Sequence, residues 1–89
     1  MNTAARLREL LAGPGPVVAP GAFEAITARA VEAAGFSAVY MSGAGTAATV
    51  GYPDYGLVGL KEMADNVGRL TQAVQIPVIA DADTGYGNE

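Results

Sequence analysis

The chain alternates apolar, strand-like segments with helical segments, and this alternation most constrains the folds available to it. The predicted strands are Val17–Ala19, Ala38–Met41 and Ile76–Ala80, and the predicted helices run from Asn2 or Thr3 to Leu11, from Ala22 to Ala34 and from Leu60 to Val74. The strands lack polar alternation, which is typical of a parallel sheet covered on both faces. We therefore predict an α/β fold with three parallel strands.

Apolar residues recur at helical spacing in the second and third helices and predict which faces are buried. The predicted buried residues are Phe23, Ile26, Ala30 and Ala34 or Val31 in the second helix, and Leu60, Met63, Ala64, Val67 and Leu70 in the third. Gly35 occupies the position of a glycine that ends a helix.

The length of the chain, 89 residues, is short for a complete parallel α/β fold. A (β/α)8 barrel needs about 250 residues, and a flavodoxin-like sheet normally has about five strands. Hydrophobic residues make up 51% of the chain and charged residues 16%, which is typical of elements buried in a larger body. We predict that residues 1–89 are the N-terminal fragment of a single (β/α)8 TIM barrel domain, with a small flavodoxin-like sheet as the alternative.

Composition excludes several classes of function. The formal net charge of −4 argues against a nucleic-acid partner, which needs a basic face. The chain contains neither Cys nor His, so disulfides, thiolate metal sites and a His general base are excluded within it. No apolar run approaches the roughly 20 residues of a membrane span, and Met1–Leu11 lacks the apolar stretch of a signal peptide. We expect a cytoplasmic protein that acts on a small molecule.

Unusual residues follow each predicted strand at its carboxyl end. Pro20-Gly21 follows the first strand, Ser42-Gly43-Ala44-Gly45 the second, and Asp81 and Asp83 the third. In parallel α/β folds, functional sites are built at this edge of the sheet. The pattern predicts an active-site face.

Asp81 and Asp83 predict a metal site. Residues two apart in extended chain point the same way, so both carboxylates can face one ion. Two close carboxylates repel each other unless a cation compensates, and a hard oxygen-bound cation such as Mg²⁺, or alternatively Mn²⁺, suits them. The structural alternative is a solvated turn that caps a following helix.

The small residues that follow the second strand are candidates for substrate binding. Backbone N–H groups of Ser42, Gly43 and Ala44, with the Ser42 hydroxyl, can hold a carboxylate or phosphate, although a plain turn also explains the glycines. Tyr40 either points its phenol at the site or packs. Asp54, in Pro-Asp-x-Gly, is a third acidic candidate that an ordinary turn would also explain.

Four motifs in this order resemble the isocitrate lyase/phosphoenolpyruvate mutase superfamily. They are Val18–Phe23 (VAPGAF), Gly35–Gly43 (GFSAVYMSG), Pro53–Leu57 (PDYGL) and Pro77–Gly87 (PVIADADTGYG). The branch that the chain most resembles contains methylisocitrate lyase, 2,3-dimethylmalate lyase and oxaloacetate decarboxylase.

The resemblance implies a (β/α)8 barrel, usually in a homotetramer, that cleaves a C–C bond of a small 2-hydroxy or 2-oxo acid through a Mg²⁺-stabilised enolate. By motif, it places Asp81 and Asp83 on the metal-site carboxylates and Asp54 on the acidic residue that assists the metal. It places the substrate-binding loop on Tyr40, Ser42, Gly43 and Ala44.

The chain also departs from the family pattern. It contains no Lys-Lys-Cys-Gly-His loop, which supplies the family's Cys acid, and Ala44 stands where methylisocitrate lyases often have Gly. The alternatives are a phosphoenolpyruvate mutase-type enzyme of C–P bonds, a haloacid-dehalogenase-type phosphatase, and an inactive partial barrel. The phosphatase hypothesis rests on Asp81-Ala82-Asp83-Thr84, in which Thr84 lies one place too early.

Overall fold

The computed structural model describes residues 2–42 and 60–81. Its elements are α1 (Thr3–Ala12), β1 (Gly21–Ala22), α2 (Ala25–Ala33), β2 (Val39–Met41), α3 (Leu60–Ala73) and β3 (Val78–Ala80). This order confirms the predicted alternation of helices and strands. In the described ranges, no helix is long and apolar enough to cross a membrane.

The three strands form one parallel sheet in the order β1-β2-β3. Tyr40 of β2 lies opposite Gly21 of β1 and Ile79 of β3. Side chains of α2 and α3 pack together with side chains of the sheet. This core cluster consists of Ala22, Ala28, Val39, Met41, Met63, Leu70 and Val74.

Both α2 and α3 lie on one face of the sheet, because they share this core cluster and contact each other. Sequential strands with helices on one face are the arrangement of a (β/α)8 barrel, whereas a doubly wound sheet reverses its strand order and covers both faces. The face opposite α2 and α3, which carries Tyr40 and Ile79, is called the inner face below.

The first strand begins later than predicted. β1 is Gly21–Ala22, and Val18 in the predicted strand is 59% exposed. The register explains this shift, because residues 17 and 18 would lie opposite Phe36 and Ser37. There the backbone is still leaving α2, and the Phe36 N–H is bonded to the Val31 carbonyl.

The second helix also begins later than predicted. Glu24 is its N-cap residue with extended backbone, so the helix starts at Ala25 rather than at Ala22. The buried face also differs from the predicted one. Ala28 is fully buried and Val31 packs against the core, whereas Ile26 is 74% exposed.

Two helix ends match the sequence signals. The Asn2 Oδ1 accepts hydrogen bonds from the backbone N–H groups of Ala4 and Ala5 and caps α1. At the end of α2, Gly35 has a φ of 93° and donates its N–H to the Glu32 carbonyl. With the adjacent bond from Phe36, this forms a Schellman motif. The predicted helix-ending glycine is confirmed.

The third helix follows its predicted bounds within one residue. Met63 and Leu70 are buried and Val67 packs against the core, as predicted. Ala64 is exposed, and the buried stripe extends instead to Asn66, on the other side of Met63. A polar side chain thus replaces an apolar one in the core-facing stripe.

Candidate active site

The carboxyl ends of the strands bring Ser42 and Asp81 onto neighbouring strands. The Ser42 N–H donates to the Ala22 carbonyl at 3.4 Å, and the Asp81 N–H donates to the Met41 carbonyl at 3.2 Å. These bonds extend the ladder one residue beyond β2 and β3. Both residues are half-buried. The edge of the sheet formed by Ser42 and Asp81 is called the carboxyl edge below.

Strand alternation sets the direction of these side chains. Val39 and Met41 are buried beneath the helices, and Tyr40 between them is 37% exposed on the inner face. Since the ladder continues through Ser42, that residue shares the inner face with Tyr40. By the same alternation, Asp81 shares it with Ile79. Tyr40, Ser42 and Asp81 therefore lie on one face at one edge.

The other predicted site residues lie outside the described residues. They are Gly43, Ala44, Asp54 and Asp83. Within the described ranges, Asp81 contributes a half-buried carboxylate at the carboxyl edge. Carboxylate oxygens are the ligands that Mg²⁺ prefers, so the chemistry of Asp81 fits the expected metal.

Two cavities of about 330 Å³ each lie at the opposite, amino edge of the sheet. Their walls come from the segments before β2 and β3, including Phe36, Ser37 and Pro77, and from α1. Arg6 contributes the charged side chain of this lining, and no carboxylate does. The oxygen ligands that a hard cation needs are therefore at the carboxyl edge, so that edge is the candidate active site.

Asn66 is a residue near this edge that the sequence analysis did not single out. It is only 4% exposed, and its Nδ2 donates to the Phe23 carbonyl at 2.9 Å. Phe23 directly follows β1 and is thus close to the carboxyl edge. The sequence feature that could have identified Asn66 is an amide side chain at a core-facing position of α3, between Met63 and Leu70.

The charges of the helices differ in their roles. Lys61 and Asp65 form an exposed ion pair of 2.8 Å on α3, as expected for a solvated helix face. The Lys61 hydrogen bond lowers the pKa of the Asp65 carboxyl. Glu32 has a different role, because its Oε2 accepts the Gln75 N–H at 2.6 Å. Glu32 therefore connects α2 to the turn before β3.

Curated relatives match nearly the whole chain. It is 52% identical over 89 residues to 2,3-dimethylmalate lyase of Eubacterium barkeri, a match that covers 99% of this chain and 31% of that protein. It is 44% identical over 81 residues to 2-methylisocitrate lyase of Aeropyrum pernix, covering 91% of this chain and 26% of that protein. The chain thus spans less than a third of the length of these relatives.

Solved structures and a family model agree with these relatives. The crystal structure of 2,3-dimethylmalate lyase, a member of the PEP mutase/isocitrate lyase superfamily, matches with a TM-score of 0.88 and 46% identity over 98% of this chain and 31% of that chain. Residues 7–89 match the family model described as phosphoenolpyruvate phosphomutase. These matches confirm the resemblance drawn from the four motifs. The chain belongs to the phosphoenolpyruvate phosphomutase family, within the isocitrate lyase/PEP mutase superfamily.

Proposed function

We propose that this chain supplies the metal-binding and substrate-binding part of an enzyme that cleaves a C–C bond in a small 2-hydroxy or 2-oxo di- or tricarboxylate. The observation that carries the proposal is the position of Ser42 and Asp81 at the carboxyl ends of adjacent parallel strands. The names of the relatives support methylisocitrate and dimethylmalate as substrate types. Oxaloacetate, cleaved by decarboxylation, is the third type that the superfamily resemblance implies.

Asp81 and Asp83 are the residues that we assign to a divalent cation, Mg²⁺ or alternatively Mn²⁺, with Asp54 assisting. Such a cation supplies a Lewis acid for the negative charge that develops on the substrate oxygens. The half-buried position of Asp81 supports this role, because partial removal from water strengthens its attraction for a cation.

Ser42 is the residue that we assign to a substrate carboxylate or oxygen, together with the backbone of Gly43 and Ala44. Its place beside Asp81 lets one ligand contact both residues. Tyr40 lies beneath them on the inner face and shapes the space that the substrate occupies. The chain has no Cys or His. We therefore assign proton transfer to residues that the relatives carry outside the aligned segment.

The description of the family model favours one second candidate, an enzyme that makes or breaks C–P bonds. The two candidates share the cation and the carboxylate-binding loop and differ in the bond cleaved. Membership in this family leaves the phosphatase hypothesis without support. Product analysis separates the candidates, since a lyase releases a 2-oxo acid and a C–P enzyme interconverts a phosphate ester and a phosphonate.

A hybrid polypeptide tests the proposal. In this hybrid lyase, residues 1–89 replace the aligned segment of the Eubacterium barkeri 2,3-dimethylmalate lyase. We expect the hybrid lyase to cleave 2,3-dimethylmalate in the presence of Mg²⁺ and to lose this activity with a chelator. A hybrid lyase that folds like its parent but does not turn over would contradict the proposal.

The Asp81→Asn variant of the hybrid lyase tests the metal assignment. We expect it to lose most Mg²⁺-dependent turnover, because a neutral amide is a poorer ligand for a hard cation. Asp65→Asn is the matched control, since Asp65 is an exposed aspartate on α3 that forms an ion pair with Lys61. Equal losses in the two variants would count against a metal site at Asp81.

A further inference from the structure

Asn66 lies buried on α3 and uses both atoms of its carboxamide in hydrogen bonds. Its Nδ2 donates to the Phe23 carbonyl at 2.9 Å, and its Oδ1 accepts from Arg69 Nη2 at 3.2 Å. Among the described residues, it is the buried polar side chain of the core, at 4% exposure. The bond to Phe23 joins residues that are 43 positions apart in the chain.

An asparagine is required by these two partners. A carbonyl needs a donor and a guanidinium needs an acceptor, and the carboxamide presents one of each on a short side chain. Aspartate would lack the donor, and an apolar residue would lack both. Asparagine is also a poor residue for a helix interior, so the stability of α3 itself does not explain it.

The hydrogen bond from Asn66 to the Phe23 carbonyl, called the tether below, lies beside the backbone partner of Ser42, a predicted substrate-binding residue. The Phe23 carbonyl is bonded to Asn66, and the preceding carbonyl, that of Ala22, accepts the Ser42 N–H at 3.4 Å. Two consecutive peptide groups after β1 thus connect Asn66 to Ser42. A rotation of the Phe23 carbonyl away from Asn66 would turn the Ala22–Phe23 segment and move the partner of Ser42.

We propose that Asn66 is a positioning residue, which holds the segment after β1 so that Ser42 is aligned for substrate at the carboxyl edge. Arg69 supports it, because a guanidinium bonded to Oδ1 directs Nδ2 toward Phe23. Asn66 itself contacts no substrate. This inference rests on the proposed function, since Ser42 binds substrate only if the chain acts as proposed.

Asn66→Asp in the hybrid lyase is the central test. The carboxylate still accepts from Arg69 but places an oxygen against the Phe23 carbonyl, so the tether breaks while side-chain volume is kept. We expect kcat/KM to fall by about 10- to 100-fold, as misplacement of a binding group by roughly 1 Å can do. The change should divide between KM and kcat in the same way as that of Ser42→Ala, because Asn66 acts through Ser42. Arg69→Met, which keeps the aliphatic stem, should give a smaller change in the same direction.

A double-mutant cycle distinguishes positioning from loss of stability. If Asn66 acts through Ser42, the effect of Asn66→Asp on kcat/KM largely disappears in the Ser42→Ala background. Leu70→Val is the control, because Leu70 is a fully buried residue of the same helix. Its effect should be unchanged by Ser42→Ala. Additive effects of Asn66→Asp and Ser42→Ala would overturn the proposal while leaving the proposed function intact.

Hydrogen exchange gives a second measurement that does not depend on turnover. Asn66→Asp should accelerate exchange of the amides in residues 39–42, whereas Leu70→Val at an equal loss of melting temperature should not. Unchanged exchange there would overturn the inference even if the unsubstituted hybrid lyase is inactive. Inactivity of that folded hybrid lyase, by contrast, counts against the proposed function.

Discussion

Ser42 combines a backbone role in the sheet with a predicted side-chain role in substrate binding. Its backbone completes the ladder to Ala22, and alternation directs its hydroxyl to the inner face. A backbone bond persists whatever the side chain is. Ser42 can therefore be substituted without loss of the strand pairing that holds the carboxyl edge.

Ser42→Ala in the hybrid lyase should raise KM or lower kcat without unfolding the protein. Loss of one hydrogen bond to a charged substrate oxygen costs about 1.5–3 kcal/mol, which corresponds to a reduction of kcat/KM by roughly 10- to 150-fold. Steady-state kinetics and a melting curve are the measurements. Unchanged kinetics would mean that the segment after β2 is a turn with no contact to substrate.

The candidate site was predictable from sequence only in part. Ser42 and Asp81 were identified because small and acidic residues directly follow apolar strands, and the structure brings these two together. The roles of Asp54, Asp83, Gly43 and Ala44 stay predictions, because these residues lie outside the described ranges. Asn66 escaped the analysis because its partner is a backbone carbonyl 43 residues away, and no local pattern reports such a contact.

At the scale of elements, the sequence predicted the positions of the helices more accurately than it predicted which helix faces are buried. Gly35 and the Asn2 cap define helix ends through local backbone chemistry, so these ends can be predicted from the sequence. The start of α2 depends instead on the extended backbone at Glu24 and on the bond from the preceding residue, Phe23, to α3. The extent of β1 likewise depends on what lies opposite it in β2. Both are tertiary effects that the residues of the segment do not encode alone.

Two glycines predict stability changes of opposite sign. Gly35 has a φ of 93°, a left-handed conformation that costs an L-residue about 1–2 kcal/mol. Gly68 lies inside α3, and an added Cβ would meet no atom within 4 Å. There, Gly→Ala should stabilise by about 0.5–1 kcal/mol.

The measurement is the order of melting temperatures in the hybrid lyase. Gly68→Ala should melt above the unsubstituted protein and Gly35→Ala below it. If both variants melted above the unsubstituted protein, or both below it, the two backbone conformations would not be those described for α2 and α3.

At the scale of the whole molecule, the part that the structure describes packs one face of the sheet against helices. In the described ranges, α2 and α3 cover one side, and β1 and β3 each pair with β2 alone. Strand edges and a sheet face that lack partners within those ranges favour association with other chains. A domain of this size also buries little surface relative to the entropy that it loses on folding.

We therefore expect the isolated 89-residue polypeptide to show no cooperative thermal transition as a monomer. We also expect no cleavage of methylisocitrate, dimethylmalate or oxaloacetate above the background rate with Mg²⁺. Calorimetry at several protein concentrations and a pyruvate-release assay test both expectations. A sharp transition that is independent of concentration, accompanied by turnover, would contradict the interpretation of residues 1–89 as part of a larger barrel.

Two long-range hydrogen bonds between α2 and α3 or their flanking residues should form cooperatively as the chain folds. Phe23 pairs with Asn66, and Glu32 pairs with Gln75, each across 43 positions. Once the first bond closes its loop, nine positions on either side separate the second pair, so the remaining entropic cost is lower. The two closures therefore favour each other during folding. A change that slows one should slow the other, and the docking of α2 on α3 should occur as a single kinetic step.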